Sequence, residues 1–150
     1  MLKNTIHIGF TGNQHGMSEI QYNVFRGIII LLNSQYDIVF HHGVCIGSDE
    51  DAHNIVMDYT NAKIQLHPPI KTNKMFKVEN NKRIKTKDPK EYLERNRDIV
   101  NASRFIFATP KTNKEKTRSG TWSTIRYNRK KNKHTYIILP KGLVVKDKKE

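Results

Sequence analysis

The sequence predicts one α/β domain, an open and mainly parallel five-stranded sheet with helices on both faces. Three observations carry that prediction. Short apolar runs alternate with stretches whose apolar residues recur at helical spacing, in the order β-α-β-α-β-loop-α-β-α-β. The runs, such as Phe105-Ile106-Phe107, are nearly unbroken, as strands buried on both sides require. A chain of 150 residues suits a single core and leaves little room for a second.

Thr5-Ile6-His7-Ile8-Gly9-Phe10 reads as the first strand, followed by a turn from Thr11 to Gly16. Ser18 and Gln21 have capping-box spacing, and Ile20, Val24, Gly27, Ile28 and Leu31 carry the first helix to about Asn33. Asp37 to His41 is the second strand, and His42 to Gly47 a glycine-bearing turn. Ser48 or Asp49 then caps a helix on which Ala52, Ile55, Val56 and Tyr59 share a face. Lys63 to His67 is the third strand, stopped by Pro68-Pro69. Residues 68–87 are strongly basic and show no element, so they read as a mobile surface loop, with a lid as one role for it. Asp88-Pro89-Lys90-Glu91 opens the third helix, with Asp at the N-cap and Pro at the first helical position. Arg104 to Thr109 is the fourth strand, and residues 110–118 a polar loop. Gly120 and Thr121 open the fourth helix, and His134 to Leu139 is the fifth strand. The domain is expected to span 1–145, with a frayed tail at 146–150.

The net charge of +13 is uneven: Lys and Arg outnumber Asp and Glu by 6 in residues 71–90 and by 10 in the last 40. Such clustering suits a polyanionic partner, because bound cations release counterions from a phosphate backbone. The 19 Lys, 17 Ile and 14 Asn also fit an AT-rich genome, so charge alone decides nothing. The longest apolar run, Gly27 to Leu32, falls far short of the roughly 20 residues needed to cross a bilayer, and no membrane partner is expected. The N-terminal residues lack a signal-peptide pattern, and the single Cys45 makes neither an internal disulfide nor a CxxC site. The expected location is a reducing cytoplasm, with no metal and no cofactor.

In a parallel sheet of this kind ligands sit beyond the carboxyl ends of the strands, where strand order reverses. That places Gly9, Thr11 and Gly12, then Gly43, Gly47 and Asp49, then Thr109, then Ser119, Gly120 and Thr121 at the ligand. Glycines let backbone approach a ligand closely, and helix N-termini present unpaired N–H groups to phosphate. Each feature has an ordinary reading too. The glycines suit plain turns, and Asp49-Glu50-Asp51 suits the first turn of a helix. Trp122 and Tyr127 suit a core as well as a base stack, and Cys45 suits a buried, inert position. Neither GxGxxG nor GxxxxGK[ST] occurs.

Taken together, Gly9-Phe10-Thr11-Gly12, Gly43 to Asp49, Glu94-Arg95-Asn96-Arg97-Asp98-Ile99-Val100, Phe105 to Pro110 and Ser119-Gly120-Thr121-Trp122 resemble the SLOG superfamily. These are Rossmann-like nucleotide-binding proteins related to the Lonely Guy phosphoribohydrolases and to DNA-processing protein A, with small members in bacterial and viral genomes. The helix and Gly-Thr turn are also similar to those of nucleoside 2-deoxyribosyltransferases. The resemblance implies a nucleotide across the strand ends, with Thr11 and Gly12 at its ribose or base and Gly43, Gly47 and Asp49 along one wall. Gly120 and Thr121 would face its phosphate, Trp122 follows them, and Arg95 and Asn96 would reach phosphate or ribose. A surface salt bridge to Glu91 is the other reading of Arg95.

One departure matters. The related enzymes carry a catalytic glutamate three residues after the Thr of this turn, and Thr124 stands there instead. Threonine cannot replace a carboxylate that attacks or stabilises an anomeric centre. Asp49 and Asp98 are the remaining carboxylate candidates. The leading expectation is therefore nucleotide capture or sensing. Cleavage of an N-glycosidic bond with a substituted acid is one alternative, and nucleic-acid binding through the basic loop and C-terminal third is another. The superfamily also implies a homodimer.

Overall fold

The computed structural model of the chain describes residues 2–147. Its elements are β1 (Thr5–Gly12), α1 (Glu19–Gln35), β2 (Asp37–His42), α2 (Ser48–Tyr59), β3 (Lys63–Leu66) and β4 (Ile84–Thr86). Then follow α3 (Tyr92–Ala102), β5 (Phe105–Thr109), α4 (Gly120–Lys130), β6 (Thr135–Ile138) and β7 (Val144–Asp147). The sheet has seven strands in the order β4-β3-β2-β1-β5-β6-β7. All neighbours are parallel except β6 and β7.

Strand alternation assigns the two faces. Ile8 and Phe10 of β1 enter a core with Phe25 and Ile29 of α1 and Ala52, Ile55 and Val56 of α2. Gly9, between them, turns to the other face, where α3 brings Ile99 and Ser103 against it. Trp122 and Ile125 of α4 pack on that side with Ala108 and Ile137. Phe10, Phe25, Phe40 and Phe107 form the aromatic centre, with ring centroids 5.5–5.9 Å apart.

The sheet therefore exceeds the expected five strands by two. Strand β4 lies inside the segment read as a loop, and its Ile84 stands between charged and polar residues with no apolar run to reveal it. Arg83, just before it, donates to Val56 O, Met57 O, Thr60 O and Ala62 O, and so satisfies the carboxyl end of α2. Strand β7 covers Lys146 and Asp147 of the expected frayed tail, and residues 148–150 lie outside those described. Its turn has Pro140 at the second position, closed by Gly142 N–H donating to Leu139 O. Exposed on a sheet edge, β7 lacks the apolar pattern of a buried strand.

Two helix starts also differ from expectation. Helix α2 begins at Ser48 behind Gly47, at φ 89°, with no side-chain cap, because Asp49 turns back toward its own loop. Helix α3 begins at Tyr92 behind Glu91 and not at Asp88-Pro89. Residues 68–70 pair with Lys90 instead: Lys90 N–H donates to Pro68 O and Ile70 N–H to Lys90 O, which holds Lys90 extended. The capping box of Ser18 and Gln21 is present, and Gln21 Nε2 also donates to Pro110 O and Ile138 O.

Candidate functional site

Strand order reverses at β1, which has β2 on one side and β5 on the other. A cleft of about 950 Å³ opens beyond the carboxyl ends of these strands. Its charged lining is five cations, Lys74, Arg95, Lys111, Lys116 and Arg118, against the single carboxylate of Asp49. Of the apolar side chains along it, Tyr92 supplies exposed surface, while Phe10, Ile99 and Trp122 are nearly buried behind it. Basic walls with apolar patches suit an anionic ligand carrying a flat or apolar part.

The helix ends explain where an anion would be held. The N-terminus of α1 is closed by its own capping box. At α2, Ser48 N–H donates to Asn13 O. The N-terminus of α4 lines the cleft, with Ser119 at the N-cap accepting from Trp122 N–H at 3.2 Å. The N–H groups of Gly120 and Thr121 have no acceptor among the described residues. A side chain at Gly120 would meet nothing within 4 Å, so this first residue of the helix is uncovered. Unpaired N–H groups and the helix dipole both favour negative charge there.

The opposite wall is built around a strained turn. Asp49 is 6% exposed, and its Oδ2 accepts from the N–H groups of Gly43 and Cys45, each at 3.1 Å. Val44, between them, is held at φ 64°, a left-handed conformation that a β-branched residue rarely adopts. Burial pushes the Asp49 carboxyl up to about 6, against the opposing pull of Arg95 and the two N–H bonds. Arg95 comes across from α3. It donates through Nη1 to Gly43 O and His67 O, and through Nε to Asn96 Oδ1 at 2.8 Å. It is 7% exposed, so the surface salt bridge with Glu91 does not form; burial lowers its pKa from the ordinary value.

Of the residues expected at the ligand, Thr11, Gly12, Gly43, Asp49, Arg95, Asn96, Ser119, Gly120, Thr121 and Trp122 line the cleft. Gly9, Gly47, Thr109 and Asp98 do not. Gly9 packs beneath α3, and a Cβ on Gly47 would strike the Gln14 carbonyl. Thr109 is fully buried beside Gly12. Asp98 accepts from Lys90 Nζ at 2.7 Å. Thr124 is buried and donates to Gly120 O at 3.0 Å, a bond internal to the helix.

The reading from sequence missed Asn13, Gln14 and His15 after β1, and the cations Lys74, Lys111, Lys116 and Arg118. The lysines and arginine of residues 111–118 were the signal for the last three, hidden within a polar loop. Lys74 had none, because main-chain pairing brings it in: Ile46 N–H donates to Lys74 O and Phe76 N–H to Val44 O.

Two histidine rows flank this wall. His7 of β1, His41 of β2 and His67, the residue just after β3, are linked by nitrogen-to-nitrogen contacts of 2.8 Å. On the other face, His42 Nδ1 accepts from Val44 N–H, which places its proton on Nε2 to donate to His53 Nδ1 at 2.9 Å. His53 then donates toward Glu79 at 3.4 Å. Burial lowers His41 to about 3 and His67 to about 4, and holds His42 and His53 below their ordinary value. Among the described residues, no three His, Cys, Asp or Glu side chains are grouped so as to hold a metal. Burial raises the Cys45 thiol, which keeps it protonated.

Sheet order and cleft position define a Rossmann-like α/β protein with its cleft at the topological switch point. Protein-family models and curated proteins give no match to the chain. Among solved structures it is similar to the molybdenum cofactor binding protein from the phototrophic bacterium Rippkaea orientalis, with TM-score 0.60 and 17% identity over 93% of this chain and 78% of that one. It is also similar to the X-ray structure of TM1055, a structural genomics target, with TM-score 0.55 and 12% identity over 89% of this chain and 72% of that one. At such identities the likeness shows the fold. No helix among the described residues is long and apolar enough to cross a membrane.

Proposed function

We propose that the chain binds a nucleotide or another phosphorylated small molecule in the cleft, with the phosphate at the N-terminus of α4. The observation that carries this reading is the pair of unpaired N–H groups at Gly120 and Thr121, opening into a cleft with five cations and one carboxylate. The SLOG-like motifs support it, as does a structural neighbour whose name describes a cofactor-binding protein. Capture or sensing fits better than cleavage, because no carboxylate stands at the turn and Thr124 is bonded within α4. Nucleic-acid binding through the basic loop is weaker than its charge suggests, because Arg83 is committed to the end of α2.

A thermal-shift panel of nucleoside mono-, di- and triphosphates and ADP-ribose tests the reading. At least one is expected to raise the melting temperature, and Lys116→Ala with Arg118→Ala to abolish most of that rise while the unliganded melting temperature stays put. No stabilisation by any phosphorylated probe contradicts the reading. Free base released in the same incubations would replace capture with glycosidic cleavage.

A further inference from the structure

We infer that Asp49, together with Arg95, reads the uncharged part of the ligand, recognising a hydrogen-bond donor next to an acceptor on its sugar or base. The inference rests on the phosphate reading above and adds what selects one phosphorylated molecule over another.

The wall leaves two polar atoms unused. One oxygen of Asp49, Oδ2, is occupied by Gly43 and Cys45 N–H; Oδ1 has no partner among the described residues. Arg95 uses Nη1 and Nε, and its Nη2 likewise has no acceptor. Both side chains line the cleft, both are more than nine-tenths buried, and both grip Gly43, one at its N–H and the other at its carbonyl. They do not form an ion pair with each other, since no contact within 4.0 Å joins them. Neither Asp49 Oδ1 nor Arg95 Nη2 is among the buried polar atoms that lack a partner, so both are accessible from the cleft, where a ligand's polar groups can replace water on them.

An anion as the sole occupant would not satisfy the carboxylate. A ribose with adjacent hydroxyls, or a base edge with an N–H beside a carbonyl or ring nitrogen, would satisfy both atoms. The fixed Oδ2 keeps the carboxylate from swinging away, so the recognition is built in before the ligand arrives.

Calorimetric titration of the full chain with AMP, 2′-deoxy-AMP, ribose 5-phosphate and methyl phosphate tests this. Asp49→Asn keeps an oxygen for the two N–H groups and replaces the free acceptor with a donor. It is expected to weaken AMP by roughly tenfold or more while leaving methyl phosphate within about twofold. If the sugar is read, ribose 5-phosphate weakens too and 2′-deoxy-AMP starts out weaker in the wild type. If the base is read, ribose 5-phosphate is unaffected.

The wild type alone gives a second measurement that does not depend on the variant folding. The groups facing Asp49 are Arg95 from α3 and the Cys45 thiol on its own turn, with Lys74 beyond the thiol. The preference for AMP over methyl phosphate is expected to fall as the pH drops through about 6 and Asp49 takes up a proton. Unchanged AMP affinity in Asp49→Asn, equal weakening of all four probes, or a preference indifferent to pH overturns the inference. Failure of every probe to bind the wild type instead overturns the phosphate reading, and this inference with it.

Discussion

Val44 sits at φ 64° because one carboxylate holds the N–H groups on both sides of it, and the same grip fixes Asp49 against the cleft. Gly43 is what lets Arg95 approach that turn: a Cβ there would lie within 2.6 Å of the guanidinium carbon. Gly43→Ala is therefore expected to cost about 1–2 kcal/mol of stability through overpacking, and to weaken phosphorylated ligands by displacing Arg95. Chemical denaturation and titration of the same variant check both parts; full stability with full affinity contradicts the placement. From the sequence, Gly43, Asp49 and Arg95 were legible as strand-end and helix residues. Their joint role was not, because it depends on a side chain of α3 reaching across to the carbonyl of a β2 turn, and no sequence spacing encodes that.

At the scale of elements, the capping box of α1 is both a local and a long-range device. Its Gln21 accepts from Ser18 N–H, as the spacing of the two residues foretold, and donates from Nε2 to the ends of two other strand connections. Gln21→Ala leaves Pro110 O and Ile138 O without that donor and removes half of the cap. The expected loss is about 2–3 kcal/mol, measured by urea denaturation, where an ordinary exposed cap would lose about 1. A loss under that smaller figure would mean that the tertiary bonds contribute nothing. Long periodic or apolar elements such as α1, β1 and β5 were readable for this reason: local pattern and tertiary burial agree. Strands β4 and β7 were not, because each is a short edge strand held by its neighbour's backbone and not by an apolar pattern of its own. The start of α3 was misread because Lys90 pairs with residues 68–70, against the preference of Asp88-Pro89 for a helix start.

Across the whole molecule, four buried histidines set the response to acid. His41, His42, His53 and His67 have folded-state pKa values below the ordinary 6.5, so the stability they bring is complete above pH 6.5 and is lost as the pH falls below it, for His67 toward about 4 and for His41 toward about 3. Asp49 acts in the opposite sense: raised from 3.8 to about 6, its contribution is complete below 3.8 and is lost as the pH rises through 6. The histidines prevail by number. Near pH 5 the uptake at His41 and His67 alone exceeds the release at Asp49, so unfolding is expected to take up at least about one proton net, worth ~1.4 kcal/mol per pH unit. Denaturation at pH 7 and pH 5 reads this directly, and equal stability at the two would contradict four buried, neutral histidines. The charge asymmetry, visible in the sequence, also resolves at this scale. Glu115 and Asp147 pair with Arg126 and Arg129, while Lys111, Lys116 and Arg118 face the cleft. Composition gave the excess of cations; only the fold separates those at exposed ion pairs from those at a ligand.

The central claim is that a phosphate sits at the N-terminus of α4, and amide NMR of the labelled protein titrated with AMP tests it most directly. Saturable shifts are expected at the Gly120 and Thr121 amides, with Gly43 and Asp49 responding to the rest of the molecule. Saturable shifts that leave Gly120 and Thr121 unmoved, or that map to the outer face of α4, would contradict it.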